Sequence, residues 1–173
     1  MGNFIIFDRN IHRSVLFDLH EEYINWIASE LKINYDFDLF SMIEIPLREY
    51  IENTLEKYAS YNPPNGIFYL LRINKEIVGM GALIKIRKGI GEIKRMYIQP
   101  KHRGIGYGKE MFELLLNKAK EFGFSVIYLD SGLFMKTAHH LYRSMGFYDR
   151  EAYPESELPP QVRPFWVYME KQI

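Results

Sequence analysis

The spacing of apolar positions divides the chain into a helical first third, a strand-rich middle and an alternating strand–helix remainder. Phe4 to Phe7 is a short apolar run that predicts a first strand. From His12 to Leu31, apolar residues recur at three- and four-residue intervals (Val15, Leu16, Leu19, Tyr23, Trp26, Ile27, Leu31), the spacing of an amphipathic helix. Asn34 to Ser41 is polar and aromatic and predicts a loop or short turn. Pro46 suits the first turn of a second helix running to about Tyr58, with Leu47, Tyr50, Ile51 and Leu55 on one face.

Asn62-Pro63-Pro64-Asn65-Gly66 is a turn signal, and after it the pattern changes to strands. Ile67–Ile73, Ile77–Ile86 and Ile90–Ile98 are three such runs, separated by Asn74-Lys75-Glu76 and Arg87-Lys88-Gly89. This predicts an antiparallel meander. A helix from about Gly106 to Phe122 follows, then a buried strand at Val126–Leu129. A helix from about Lys136 to Met145 ends at Gly146, a good C-cap. Phe147–Ala152 and Phe165–Met169 predict two final strands around a proline-rich loop. The order is that of a mixed α/β fold, and nothing in residues 1–173 splits it into two domains.

Composition narrows the function. Of 173 residues, 47% are hydrophobic and 16% aromatic, enough for one well-packed core. Basic and acidic residues balance at 22 each, so no global field favours nucleic acid or an anionic membrane. There is no cysteine, which removes disulfides, thiolate metal sites and a cysteine nucleophile. The histidines lack metal-ligand spacing, and we expect no metal. No apolar run approaches the roughly 20 residues of a membrane span, and the N-terminus lacks signal-peptide character. A cytoplasmic location is the expectation.

The run Gln99-Pro100-Lys101-His102-Arg103-Gly104-Ile105-Gly106-Tyr107-Gly108-Lys109 carries the chemistry. Alternating glycines between a strand and a helix let backbone N–H groups approach an anion, and the helix N-terminus adds positive potential. A tight turn alone would not need three glycines. A nucleotide P-loop is excluded by the spacing of Gly104 and Lys109 and by Glu110 after the lysine. A dinucleotide fingerprint is excluded because the spacing is Gly-x-Gly-x-Gly and the preceding strand closes a meander.

Arg103-Gly104-Ile105-Gly106-Tyr107-Gly108 instead resembles the Arg/Gln-x-x-Gly-x-Gly/Ala pyrophosphate loop of the GNAT acyltransferases. Glu92–Pro100 resembles that family's fourth strand, and Ala138–Phe147 resembles its Ala-x-x-Leu-Tyr-x-x-x-Gly-Phe signature. The resemblance covers about Ile67 to Ala152. It implies a mostly antiparallel central sheet, splayed between strands 4 and 5 and flanked by helices. It also implies acetyl-CoA as cosubstrate. Backbone groups of Met96 and Ile98, with Tyr97 between them, would bond the thioester and pantetheine. Amides of Arg103, Gly104, Ile105, Gly106, Tyr107, Gly108 and Lys109 would hold the pyrophosphate. Many members bond pantetheine through an asparagine where this chain has Met135, so Ser131 stands as a substitute, with Ala138 a further contact.

Acyl transfer to an amine needs a proton for the leaving thiolate and a base for the amine. The resemblance makes Tyr142 the acid and Glu92, at the start of the fourth strand, the base. A two-residue alternation would put Glu92, Lys94, Met96 and Ile98 on one face unless a bulge intervenes. The expected acceptor is a small or amino-acid-like amine, with a peptide amine as the other option, drawn by acids such as Asp36, Asp38, Glu44, Glu155 and Glu157. The competing reading is a silent acyl-CoA-binding module. Family members are often dimers, although no stretch of this sequence marks an interface.

Overall fold

The structure is a computed structural model that describes residues 2–173. The chain forms β1 (Asn3–Ile6), α1 (Arg9–Tyr35), α2 (Leu47–Ala59), β2 (Gly66–Ile73), β3 (Glu76–Arg87) and β4 (Ile90–Ile98). It continues through α3 (Tyr107–Glu121), β5 (Val126–Gly132), α4 (Lys136–Ser144), β6 (Tyr148–Arg150) and β7 (Trp166–Gln172). The seven strands make one sheet in the order β1-β2-β3-β4-β5-β7-β6. Every neighbouring pair is antiparallel except β4 and β5. This is the mixed α/β architecture that the sequence implied.

Local chemistry explains the element boundaries. Asp8 caps α1 by accepting from the Asn10 amide at 2.8 Å, and the helix runs past the expected end to Tyr35. Asp36 then closes it in the left-handed conformation, at φ 50°. Of the expected loop at Asn34–Ser41, the first two residues complete α1 and the last two enter a short 3₁₀ turn at Phe40–Met42. The β2–β3 hairpin turns on Asn74 and Lys75, both at positive φ, as a two-residue hairpin requires.

The sheet is covered on both faces, which is why β2 is buried along Gly66–Leu71. Phe68 and Leu70 face the layer of α1 and α2, packing with Leu16, Leu19, Ile51 and Leu55. Ile67, Tyr69 and Leu71 face α3 and α4, packing with Met111, Phe112, Leu115 and Tyr142. No helix among the described residues is long and apolar enough to cross a membrane.

Candidate active site

The sheet forks where β4 meets β5. Parallel pairing joins Ile90, Gly91 and Glu92 to Val126, Ile127 and Tyr128, and there it stops. Beyond it β4 bulges: Tyr97 pairs with Met80 and Lys94 with Ala82, so Arg95 and Met96 together oppose Gly81. Arg95 adopts φ 58° to make the bulge. Gly81 permits it, because a Cβ there would stand 2.9 Å from Met96 Sδ and 3.0 Å from Met111 Cγ.

The bulge corrects the expected facing of β4. Met96 and Ile98 pack with Ile93 on the α3–α4 side. Tyr97 packs on the α1–α2 side, where its hydroxyl donates to Glu22 at 2.8 Å. Lys94 reaches Glu92 and Glu157, and Arg95 faces Tyr23 and Tyr58 of α1 and α2. Met96 and Ile98 therefore do not share the face of Glu92 and Lys94, because the extra residue resets the alternation.

A cavity of about 510 Å³ fills the fork. Tyr142, Ser131, Asp130, Lys94, Arg95 and Met96 line it at the strand end, and Ile24, Ile27, Leu39, Ile43 and Val162 give it an apolar wall. Tyr142 is 7% exposed, its ring 4.7 Å from that of Phe112. Burial pushes its hydroxyl well above the ordinary value, so it is neutral and a proton donor. Ser131 donates to Met135 Sδ at 3.3 Å, and Ala138 is half-buried against the α3–α4 core.

Glu92 is 2% exposed and does not border the fork cavity; it opens onto a second space of about 360 Å³ beside Lys57 and Glu157. Tyr153 donates to it at 2.7 Å and lies 3.4 Å from Asp130, linking the two carboxyls. Burial, then the Glu92 carboxylate, raises Asp130 to about 6, against the pull of Lys94 and Arg95. Burial raises Glu157 too, but Lys94 and Lys57 outweigh it and hold that carboxyl at about 2.

Asp130, Tyr153 and Arg95 are the site groups that sequence reasoning missed. A signal existed for Arg95: two adjacent cations in an otherwise buried strand. None existed for Tyr153, which reaches the sheet from a distant loop. Of the five acids expected to draw the acceptor, Glu44 and Glu157 border the cavity. Asp36 pairs with Lys32, Asp38 caps its own turn, and Glu155 pairs with Arg87.

At the open end of the fork, Gly104 and Gly106 adopt φ 79° and 100°. A Cβ at Gly104, Gly106 or Gly108 would point into open space. Arg103 spends its amide on Pro100, and Glu110 spends its own on Gly106. Among the described residues, the amides from Gly104 through Lys109 donate to no carbonyl. That row of free donors at the start of α3 fits a diphosphate. The Arg103 side chain is occupied: Nε donates to the Ile98 carbonyl at 2.7 Å, and the guanidinium stacks 4.8 Å from the Trp26 ring. Lys109 is exposed and pairs loosely with Glu113 at 3.8 Å.

An open fork beside free amides can hold a long, diphosphate-bearing thioester in extended form, the requirement of an acyl-CoA-dependent acyltransferase. The chain belongs to the acetyltransferase (GNAT) family, whose model matches residues 34–147. It is 34% identical over 111 residues to an IAA acetyltransferase of Azospirillum brasilense, covering 64% of this chain and 70% of that one. Its fold matches an acetyltransferase from Streptococcus agalactiae with a TM-score of 0.70 and 23% identity, over 99% of this chain and 98% of that one. A family acetyltransferase from Elizabethkingia anophelis, solved with acetyl-CoA bound, matches at 0.55 and 20% identity, over 70% of this chain and 83% of that one. GNAT acetyltransferases use acetyl-CoA as cosubstrate, and the chain is an enzyme of that class.

Proposed function

We propose that the chain moves the acetyl group of acetyl-CoA to a primary amine of a small molecule or amino-acid-like acceptor, by direct attack on the thioester within the β4–β5 fork. The observation that carries this reading is one cavity lined by both a carboxyl held near neutrality, Asp130, and a neutral tyrosine, Tyr142. The amides of Gly104 through Lys109 would hold the diphosphate, with Lys109 adding charge. The free edge of β4, from Met96 past Tyr97 to Ile98, would bond pantetheine opposite Ser131 and Ala138.

The acceptor arrives as an ammonium ion. Asp130 takes its first proton and later releases it to water. Glu92, fixed by Tyr153 and Lys94, acts through Asp130 by keeping that carboxyl basic. The freed nitrogen lone pair forms the bond to the thioester carbonyl carbon, and the carbon–sulfur pair leaves on sulfur. Tyr142 gives its hydroxyl proton to the sulfur and regains one from the nitrogen. The products are the amide, the CoA thiol and one released proton.

Thiol release from acetyl-CoA against a panel of amines tests this reading. Tyr142→Phe keeps the ring that packs on Phe112. It should lower kcat about 10²-fold with the KM for acetyl-CoA within about threefold. An unchanged kcat would remove Tyr142 from the chemistry.

A further inference from the structure

The fork cavity contains a cation without a matching anion. The bulge turns both Lys94 and Arg95 toward α1 and α2, but their surroundings differ. Lys94 is matched by Glu157 at 3.0 Å and Glu92 at 3.3 Å. Arg95 forms no ion pair among the described residues, and its Nε is buried without a hydrogen-bond partner. Burial is the largest influence on Arg95, followed by the hydroxyls of Tyr58, Tyr23 and Tyr50, all ahead of the Asp130 carboxyl. A tight pair with Arg95 would depress Asp130, yet that carboxyl is held up near 6.

The shell behind Arg95 is polar but uncharged. His20 is fully buried with both ring nitrogens unpartnered, and the hydroxyls of Tyr58 and Tyr61 are likewise unpartnered. The His20 ring stands 5.5 Å from Tyr58 and 5.9 Å from Tyr23. Burial, then Arg95, lowers the His20 pKa well below its ordinary value, so it is neutral. Interiors leave few such groups unpaired, and none of these can neutralise a guanidinium.

We propose that Arg95 receives the carboxylate of the acceptor, which makes the substrate an amino acid with an apolar side chain. The amine sits at the Asp130 and Tyr142 end, and the side chain lies on the wall of Ile24, Ile27, Leu39 and Val162. Asp130 and Arg95 are near enough to act on each other's charge, which suits the short span between amine and carboxylate in an α-amino acid. This assignment rests on the amine-transfer reading above and names its substrate class.

The test compares L-phenylalanine and L-leucine with phenethylamine and isoamylamine, which lack the carboxylate, in thiol release by the full chain with acetyl-CoA. The amino acids should show at least a tenfold higher kcat/KM, and Arg95→Met should reduce that ratio at least tenfold. Calorimetry of L-phenylalanine and phenethylamine on the CoA-loaded protein gives a reading that does not depend on turnover or on the variant's folding. Binding of both with equal affinity overturns the carboxylate site. Equal acetylation of both also overturns it, while amine transfer stands. Carboxylate-dependent binding without thiol release from any acceptor supports the site and overturns the transfer reading.

Discussion

Asp130→Asn should make the protein more stable and less active, and pH should separate the two effects. The side chain keeps its shape and loses its charge. In the folded chain the carboxyl is raised from an ordinary 3.8 to about 6, chiefly by burial and then by Glu92. A rise of about two pH units, at about 1.36 kcal/mol each, amounts to about 3 kcal/mol. The sign follows from linkage. A carboxyl with a raised folded pKa binds its proton more tightly when folded. Its contribution is full below 3.8 and is lost as pH climbs through about 6. At pH 8 the ionised group therefore opposes folding by up to about 3 kcal/mol relative to acid. The asparagine variant escapes that loss.

Urea unfolding of both proteins at pH 8 and pH 5 measures the effect. At pH 5 the folded carboxyl is mostly protonated and the unfolded one mostly ionised. The advantage of Asp130→Asn should therefore shrink by about 1.4 kcal/mol between pH 8 and pH 5, a tenfold change in the folding equilibrium. In thiol release, wild-type kcat/KM should rise with pH through an apparent pKa near 6, and the variant should lose that limb. A stability difference that is the same at both pH values would refute the raised pKa. A variant that keeps the acid limb would refute the role of Asp130 as base.

Three further substitutions probe separate parts of the site. Tyr142→Phe should cut kcat about 10²-fold without weakening acetyl-CoA, read by steady-state thiol release. Gly106→Ala forces a side chain into φ 100° at the start of α3. It should cost about 1–2 kcal/mol and raise the acetyl-CoA dissociation constant about tenfold or more, read by calorimetry. Tyr153→Phe removes the 2.7 Å donor to the buried Glu92 carboxylate. It should destabilise the fold by about 1–3 kcal/mol at pH 8, read by chemical denaturation.

The parts of the site visible in the sequence are those whose chemistry is local. Gly104 and Gly106 stand where the backbone needs positive φ, and they sit between a strand and a helix that were both readable from their periods. The helix that carries Tyr142 was marked by spacing and by its Gly146 stop. Strand and helix order followed from periodicity, while ends shifted by capping: Asp8 and Asp36 set the limits of α1.

The parts that escaped depend on distant groups. The bulge at Arg95 needs the missing Cβ of Gly81 on the neighbouring strand, and it breaks the two-residue alternation along β4. Asp130 is basic because the fold buries it and brings Glu92 of β4 beside it, which outweighs the lowering hydrogen bond from the loop residue Tyr153. Arg103 reads as a free cation, yet Ile98, Tyr97 and Trp26 hold its side chain. Its part in phosphate binding falls to the open amides that follow it.

If the β4–β5 fork moves an acetyl group from acetyl-CoA to an amine, thiol and N-acetylated product must appear together. The most direct measurement follows acetyl-CoA and an amine panel together, with thiol release by absorbance and the N-acetyl product by mass spectrometry. Amine-dependent thiol release should be matched one to one by N-acetylated acceptor and fall about 10²-fold in Tyr142→Phe. Tight acetyl-CoA binding with no amine-dependent thiol above the hydrolysis background, across amino acids, simple amines and peptides, would contradict this transfer.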